Sequence, residues 1–258
     1  MNLGIAGRKA IVCASSRGLG KACARALAEA GCEVVINGRD AKKLETAASE
    51  LSVAGVKVIP VVADVATAEG QKALLAACPQ PDILVNNNAG PPMRDFRELT
   101  RQQMLDGVVA NMVVAIELIQ KVIDPMCGRK FGRIVNVTSG SVKMPLAGLD
   151  LSSGARAGLT AFLAGVARKV AEKNVTINNI LPGAFDTDRL RSTLTKTAEQ
   201  TGKSEAEVAA ARMAGIPAKR FGNADEFGAA CAFLCSAHAG YITGQSLLID
   251  GGTFNGAF

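Results

Sequence analysis

The chain has 258 residues, 48% of them hydrophobic, enough to bury one sizeable core and in keeping with a single α/β domain over 1–258. Its formal charge of +6 is scattered among acids and aromatics make up only 4%, so neither a basic stripe nor a stacking surface for nucleic acid is present. Seven cysteines without a Cys-x-x-Cys, a single His, and no apolar run of membrane-spanning length exclude a zinc motif, a disulfide framework and a membrane span. The expectation is a reduced, soluble, cytoplasmic protein without metal, whose basic balance suits anionic small molecules.

Short apolar runs alternate with longer Ala-rich amphipathic stretches. The runs are AIVC from Ala10, EVVI from Glu33, KVIPVV from Lys57, DILV from Asp82, RIVNV from Arg133, TINNIL from Thr176 and SLLID from Ser246. Runs apolar on both faces are what a parallel sheet requires, so the pattern predicts a doubly wound, Rossmann-type, seven-stranded parallel sheet with helices on both faces. Helices are expected over Leu19 to Ala30, after Asp40 as a cap for AKKLETAASEL, over Met104 to Met126 and over Ser153 to Glu172. The more polar, less patterned segment 186–219 reads as a cover over a site.

The first run leads through Cys13, Ala14, Ser15, Ser16, Arg17, Gly18, Leu19 and Gly20 directly into a helix. Glycines at such a junction let the backbone approach a pyrophosphate, whose charge the helix N-terminus stabilises. After the second run, Asn37-Gly38-Arg39 stands where a carboxylate would bind the ribose of NAD. Arg17 and Arg39 form instead a possible fork for a 2′-phosphate, which favours NADP(H) over NAD(H).

On these residues the chain resembles the short-chain dehydrogenase/reductase family and is similar to its 3-oxoacyl-acyl-carrier-protein reductases, over nearly its whole length. The family's T-G-x-x-x-G-x-G turn corresponds to Cys13 to Gly20, with Cys13 and Ala14 replacing Thr and Gly. Asp64-Val65 corresponds to its adenine contact, and DILVNNNAG to its Asn-Asn-Ala-Gly segment, giving Asn87, Asn88, Ala89 and Gly90. With one Asn more than usual, either Asn86 or Asn87 makes the backbone contact, and a local bulge is expected. Asn111 corresponds to the family's helical Asn, Ser139 to its catalytic Ser, and Pro182-Gly183 with Thr187 to its nicotinamide-side loop. The resemblance also implies a homotetramer.

The main departure lies in LSSGARAG, where Ser152 and Arg156 occupy the positions of the family's Tyr and Lys. In the family Ser polarises the substrate carbonyl, Tyr gives it a proton, and Lys holds the ribose and lowers the Tyr pKa. An aliphatic alcohol is a far poorer acid than a phenol, and Arg156, though able to bind ribose hydroxyls, is a poor proton shuttle. Lys143 is a candidate proton source and Asn111 a candidate for a water relay. A permanent cation at the floor of a roomier pocket would attract a carboxylate or phosphate on the substrate.

The reading that follows is an NADP(H)-dependent oxidoreductase acting on a small-molecule carbonyl or alcohol, 3-oxoacyl-like or another ketone. Two alternatives are a cofactor-binding sensor or scaffold without turnover, and a lyase or isomerase stabilising an enolate with Ser139 and Arg156.

Overall fold

The computed structural model describes residues 2–91 and 93–256. Among these residues the strands β1 (Lys9–Val12), β2 (Glu33–Gly38), β3 (Val58–Val62), β4 (Ile83–Asn86), β5 (Gly132–Val137), β6 (Val175–Pro182) and β7 (Ser246–Ile249) form one seven-stranded sheet, in the order β3-β2-β1-β4-β5-β6-β7. Every pairing is parallel. The expected doubly wound sheet is therefore observed, and the strand order reverses between β1 and β4, where such folds open a crevice at the strand ends.

Successive strand residues alternate between two cores. Ala10, Val12, Val34, Ile36, Val85 and Val135 face one side, beneath α1 (Gly18–Glu29), α2 (Ala41–Leu51) and α9 (Ala224–Leu234). Ile11, Val35, Leu84, Ile134 and Ile177 face the other, beneath α3 (Ala68–Ala77), α5 (Val114–Gly128) and α6 (Asp150–Val170). Both cores contain Cys side chains, and none of the cysteines is bridged. Among the described residues no helix is long and apolar enough to cross a membrane.

Three expectations are corrected. The helix expected over Met104 to Met126 is divided: α4 (Arg101–Val108) passes through a single wide turn, Val109–Val113, before α5 begins. Asn111 lies inside that turn, whose looser winding is a common device at functional sites. The segment 186–219 is not irregular. It holds α7 (Asp188–Thr201), capped by Thr187, and α8 (Glu205–Ala214), opened by a Ser204/Glu207 capping box. Its polarity reflects exposure of the outer helix faces.

No bulge accommodates the extra Asn: β4 pairs with β5 without interruption from Ile83↔Arg133 to Asn86↔Asn136. The register aligns Asn86, Asn136, Asn179 and Ser246 across four strands. Their side chains form a chain of hydrogen bonds: Asn86 donates to Asn136 (2.9 Å), Asn136 to Asn179 (3.2 Å), and Asn179 to Ser246 (3.3 Å). Buried amides need such partners, and here each strand supplies the next.

Candidate active site

The turn after β1 is held from behind. Asn37, at the end of β2 and almost wholly buried, accepts through Oδ1 from the Ala14 N–H (3.2 Å) and donates to the Val61 and Ala63 carbonyls. Ser15 donates from Oγ to the Val12 carbonyl (2.7 Å) and accepts from the Asn37 N–H (2.9 Å). Its own N–H donates to the Asn37 carbonyl. Of the residues expected at the cofactor, Ser15 and the Ala14 N–H are satisfied inside the protein and shape the turn.

The backbone of Ala14 lies in the left-handed region, with φ at +46°. An L-residue there is strained, which is why the resembling family carries Gly. Ala14→Gly is expected to raise stability by roughly 0.5–1 kcal/mol, the relieved strain less the added chain entropy of glycine, measured by denaturant titration.

The front of the turn is open. Helix α1 begins after Arg17 with no side-chain cap, so its first N–H groups point outward unsatisfied by any cap. Leu19 packs its side chain into the core, leaving only backbone for the groove. A Cβ at Gly20 would lie 2.7 Å from the Asn87 amide and closer still to the Ala14 carbonyl, so the backbones meet here only because position 20 is glycine. Asn87, rather than Asn86, makes the backbone contact, donating to the Ala14 carbonyl (3.2 Å). An uncapped helix N-terminus above a glycine-walled turn fits a dinucleotide pyrophosphate.

At the adenosine end, Gly38 abuts Ser16, and the exposed Arg39 and Arg17 pair with Asp64 (3.5 Å) and Asp188 (3.7 Å). The carboxylate of Asp64, expected at the adenine, is already engaged: one oxygen accepts from the Ala66 N–H (2.9 Å) and the other faces Arg39. Val65 turns its side chain into the core, so only its backbone is left for a ligand.

The loops after β4, β5 and β6 complete the crevice. Asn88 donates to the Ala110 carbonyl (3.1 Å) and accepts from the Ala89 N–H, which ties the Asn88–Gly90 segment to the wide turn around Asn111. Pro182 ends β6, Gly183 packs against Asp250, a Cβ built on Gly18 would lie 3.8 Å from Thr187, and Asp188 pairs with Arg17 of the phosphate turn. The nicotinamide-side loop and the phosphate turn therefore face each other.

Ser139 follows β5 in extended backbone and caps a short turn. Its Oγ accepts from the Ser141 N–H (3.1 Å) and the Ser141 hydroxyl (2.9 Å), leaving its own O–H to donate outward. Ser152, in the first turn of α6, accepts from Arg156 Nε at 3.2 Å, one helical turn on. Its own O–H donates to no acceptor among the described residues.

Arg156 is buried and reaches past Ser152 to donate to the Val137 carbonyl (2.7 Å) and the Asn88 carbonyl (3.4 Å). Three of its five N–H groups are thereby engaged. The floor cation expected to grip ribose hydroxyls is first a clamp joining α6 to the ends of β4 and β5. No carboxylate lies within 4.0 Å of it among the described residues. Burial, together with the charge of Arg189, pulls its pKa down to about 10, so it stays cationic at neutral pH.

Asn111 donates to the Gly107 carbonyl (3.1 Å), while its Oδ1 and that of Asn86 have no partner among the described residues. Both residues, with Arg156, line a cavity of 20 Å³, large enough for one water. The ammonium of Lys143 lies over the Phe254 ring, 5.7 Å from the centroid, and among the described residues makes no hydrogen bond to Ser139 or Ser152.

Sequence reasoning missed the Asn37 latch, the Ser141 support of Ser139 and Arg189. A signal existed for the amides: polar residues inside runs apolar on both faces must find partners. None existed for Arg189, whose guanidinium rests against Gly90 at a distance set by the folding of the loop after β6.

Residues 13–253 match the family described as enoyl-(acyl carrier protein) reductase. The chain belongs to that family, within the short-chain dehydrogenases/reductases. It is similar to the 3-oxoacyl-[acyl-carrier-protein] reductase FabG of Vibrio cholerae, 31% identical over 98% of this chain and 99% of that one. It is also similar to the NADPH-dependent reductase BacG of Bacillus subtilis, 30% identical over 95% and 97% of the two chains. Among solved structures, L-sorbose reductase from Gluconobacter frateurii, complexed with NADPH and L-sorbose, superposes with a TM-score of 0.94 at 28% identity, over 99% of this chain and 100% of that one.

Proposed function

We propose that this protein is an NADP(H)-dependent reductase of a small-molecule carbonyl, with the hydroxyls of Ser139 and Ser152 as the donors to the carbonyl oxygen and Arg156 as the fixed charge behind them. The observation that carries the reading is the pairing of an uncapped α1 N-terminus with two serine hydroxyls whose oxygens already accept hydrogen bonds. NADPH in the relatives BacG and L-sorbose reductase supports the choice of cofactor. The groups that would hold it are the N–H groups of Gly18, Leu19 and Gly20 for the pyrophosphate, Ser16, Arg17 and Arg39 for the 2′-phosphate, the Val65 backbone for adenine, and Ala89, Gly90, Pro182, Gly183 and Thr187 toward the nicotinamide.

When bound, the cofactor supplies the hydride. The protein's part is to place the carbonyl and stabilise the charge that develops on its oxygen. Ser139, made a better donor by the hydrogen bonds it accepts from Ser141, polarises the carbonyl. Ser152 gives the second hydrogen bond and its proton, which water restores, and the adjacent Arg156 Nε stabilises the transient negative charge on its oxygen. A water at the Asn86, Asn111 and Arg156 cavity would form the return path for that proton. The helices of 186–219 cover the substrate.

The test is titration with NADPH and NADH, followed by melting temperature, and nicotinamide absorbance over a panel of ketones. NADPH is expected to bind more tightly than NADH, and Arg17→Ala with Arg39→Ala to weaken NADPH about 10- to 100-fold while leaving NADH nearly unchanged. No shift of melting temperature with either nucleotide refutes the proposal. Conversion of a substrate without change in nicotinamide absorbance replaces it with the lyase or isomerase reading.

A further inference from the structure

The amide ladder across the sheet runs in one direction: Asn86 donates to Asn136, Asn136 to Asn179, and Asn179 to Ser246. Backbone carbonyls set that direction. Nδ2 of Asn86 also reaches the Ala115 carbonyl (3.5 Å) and Nδ2 of Asn136 the Asn178 carbonyl (3.3 Å), so turning either amide over would set oxygen against oxygen. The head of the ladder is therefore an acceptor, Oδ1 of Asn86, and an amide whose N–H donates along a chain accepts more strongly through its own oxygen.

That oxygen accepts from no group among the described residues, although Asn86 is only 5% exposed. Asn111 is equally buried and in the same position: its Nδ2 is engaged by the Gly107 carbonyl, which fixes the orientation of the amide, and its Oδ1 accepts from nothing among the described residues. Both side chains line the 20 Å³ cavity that Arg156 also lines. Of the five N–H groups of Arg156, those not engaged by Ser152, Val137 and Asn88 are one on each terminal nitrogen. The cavity therefore joins two buried acceptors to a buried donor. A single molecule that gives two hydrogens and accepts one satisfies all three, and in that volume the molecule is water.

We infer that one water is built into this cavity and that Asn86 is a positioning residue, holding through that water the guanidinium of Arg156 whose Nε bears on Ser152. The bond from Arg156 to the Asn88 carbonyl is long, at 3.4 Å, against 2.7 Å to the Val137 carbonyl, so one end of the fork is loosely held. The water secures the fork from the cavity side, and the plane of the guanidinium in turn sets the direction of the Nε–H toward Ser152. The water is then a fixed part of the protein and not only a carrier of protons. The consequence at Ser152 rests on the reductase reading; the water site stands without it.

The first test needs no variant. A high-resolution crystal structure of the protein is expected to show one water within hydrogen-bond distance of both asparagine oxygens and of a terminal nitrogen of Arg156. A cavity closed by a side chain, or a water that touches only one of the two asparagines, overturns the inference. The second test is a double-mutant cycle. Asn86→Leu and Asn111→Leu are each expected to lower kcat for ketone reduction about 10- to 100-fold, with little change in KM or in NADPH affinity. The double variant should lose no more than the weaker single one, because all three lack the same water. Losses that multiply in the double variant overturn the inference. In protein labelled with 15N-arginine, hydrogen exchange at Arg156 Nε should be slow in the parent and faster in Asn86→Leu. Unchanged exchange in a folded Asn86→Leu also overturns it. If the parent oxidises no NADPH, the reductase reading falls, while the crystal water and the exchange at Arg156 still decide the inference.

Discussion

Ser152→Tyr combined with Arg156→Lys is expected to raise NADPH-dependent carbonyl reduction roughly 10²- to 10⁴-fold, the usual contribution of a positioned general acid. The parent site offers hydroxyl hydrogen bonds from Ser139 and Ser152 but no group that titrates between neutrality and about 10, where burial places Arg156. A phenol beside an ammonium titrates near that range and transfers its proton with far smaller cost. The two proteins should therefore differ in their pH profiles. The parent rate should be flat from pH 6 to 9, whereas the double variant should slow as pH rises through the phenol pKa, because reduction requires its protonated form. Arg156→Lys alone should destabilise the fold, because a point ammonium cannot reproduce the fork that joins Ser152, the Val137 carbonyl and the Asn88 carbonyl. If the double variant is slower than the parent while still folded and NADPH-bound, the chemistry is adapted to Ser and Arg, and the proton follows the water route past Asn111.

Gly20→Ala is expected to weaken NADPH binding about 10- to 100-fold, following the 1–3 kcal/mol typical of forced overpacking. The added methyl would overlap the Ala14 carbonyl and approach the Asn87 amide to 2.7 Å, and neither can retreat freely. Ala14 is held through its N–H by Asn37, and Asn87 already donates to the Ala14 carbonyl. The turn must open, and its opening moves the N–H groups at the start of α1 away from the pyrophosphate. Gly165→Ala is the matched control, since a methyl there meets nothing within 4 Å and helix propensity favours it by roughly 1 kcal/mol. Isothermal titration of both variants with NADPH distinguishes loss of the cradle from a general effect of replacing helical glycine.

Much of this was legible in the residues. The alternation of apolar runs with amphipathic stretches determines a parallel sheet, because a strand covered on both faces cannot afford regular polar positions. The order of motifs from Cys13 to the Ile249 end of β7 points to the family, and the spacing from Ser139 sets Ser152 and Arg156 at the positions where the resemblance expects a phenol and an amine. These are local or sequential properties, carried by residue type and interval.

What tertiary structure alone decided are the pairings between segments distant in the chain. The backbone of Ala14 is forced to positive φ in a turn that Asn37, 23 residues on, latches in place. The asparagines of β4, β5 and β6 satisfy one another only because strand register sets them side by side. Arg156 is brought to the carbonyls of Val137 and Asn88, and the tip of Arg189 is brought to Gly90. Hydrogen-bond and charge satisfaction depend on what folding brings within about 3 Å, and no spacing along a single chain encodes that distance.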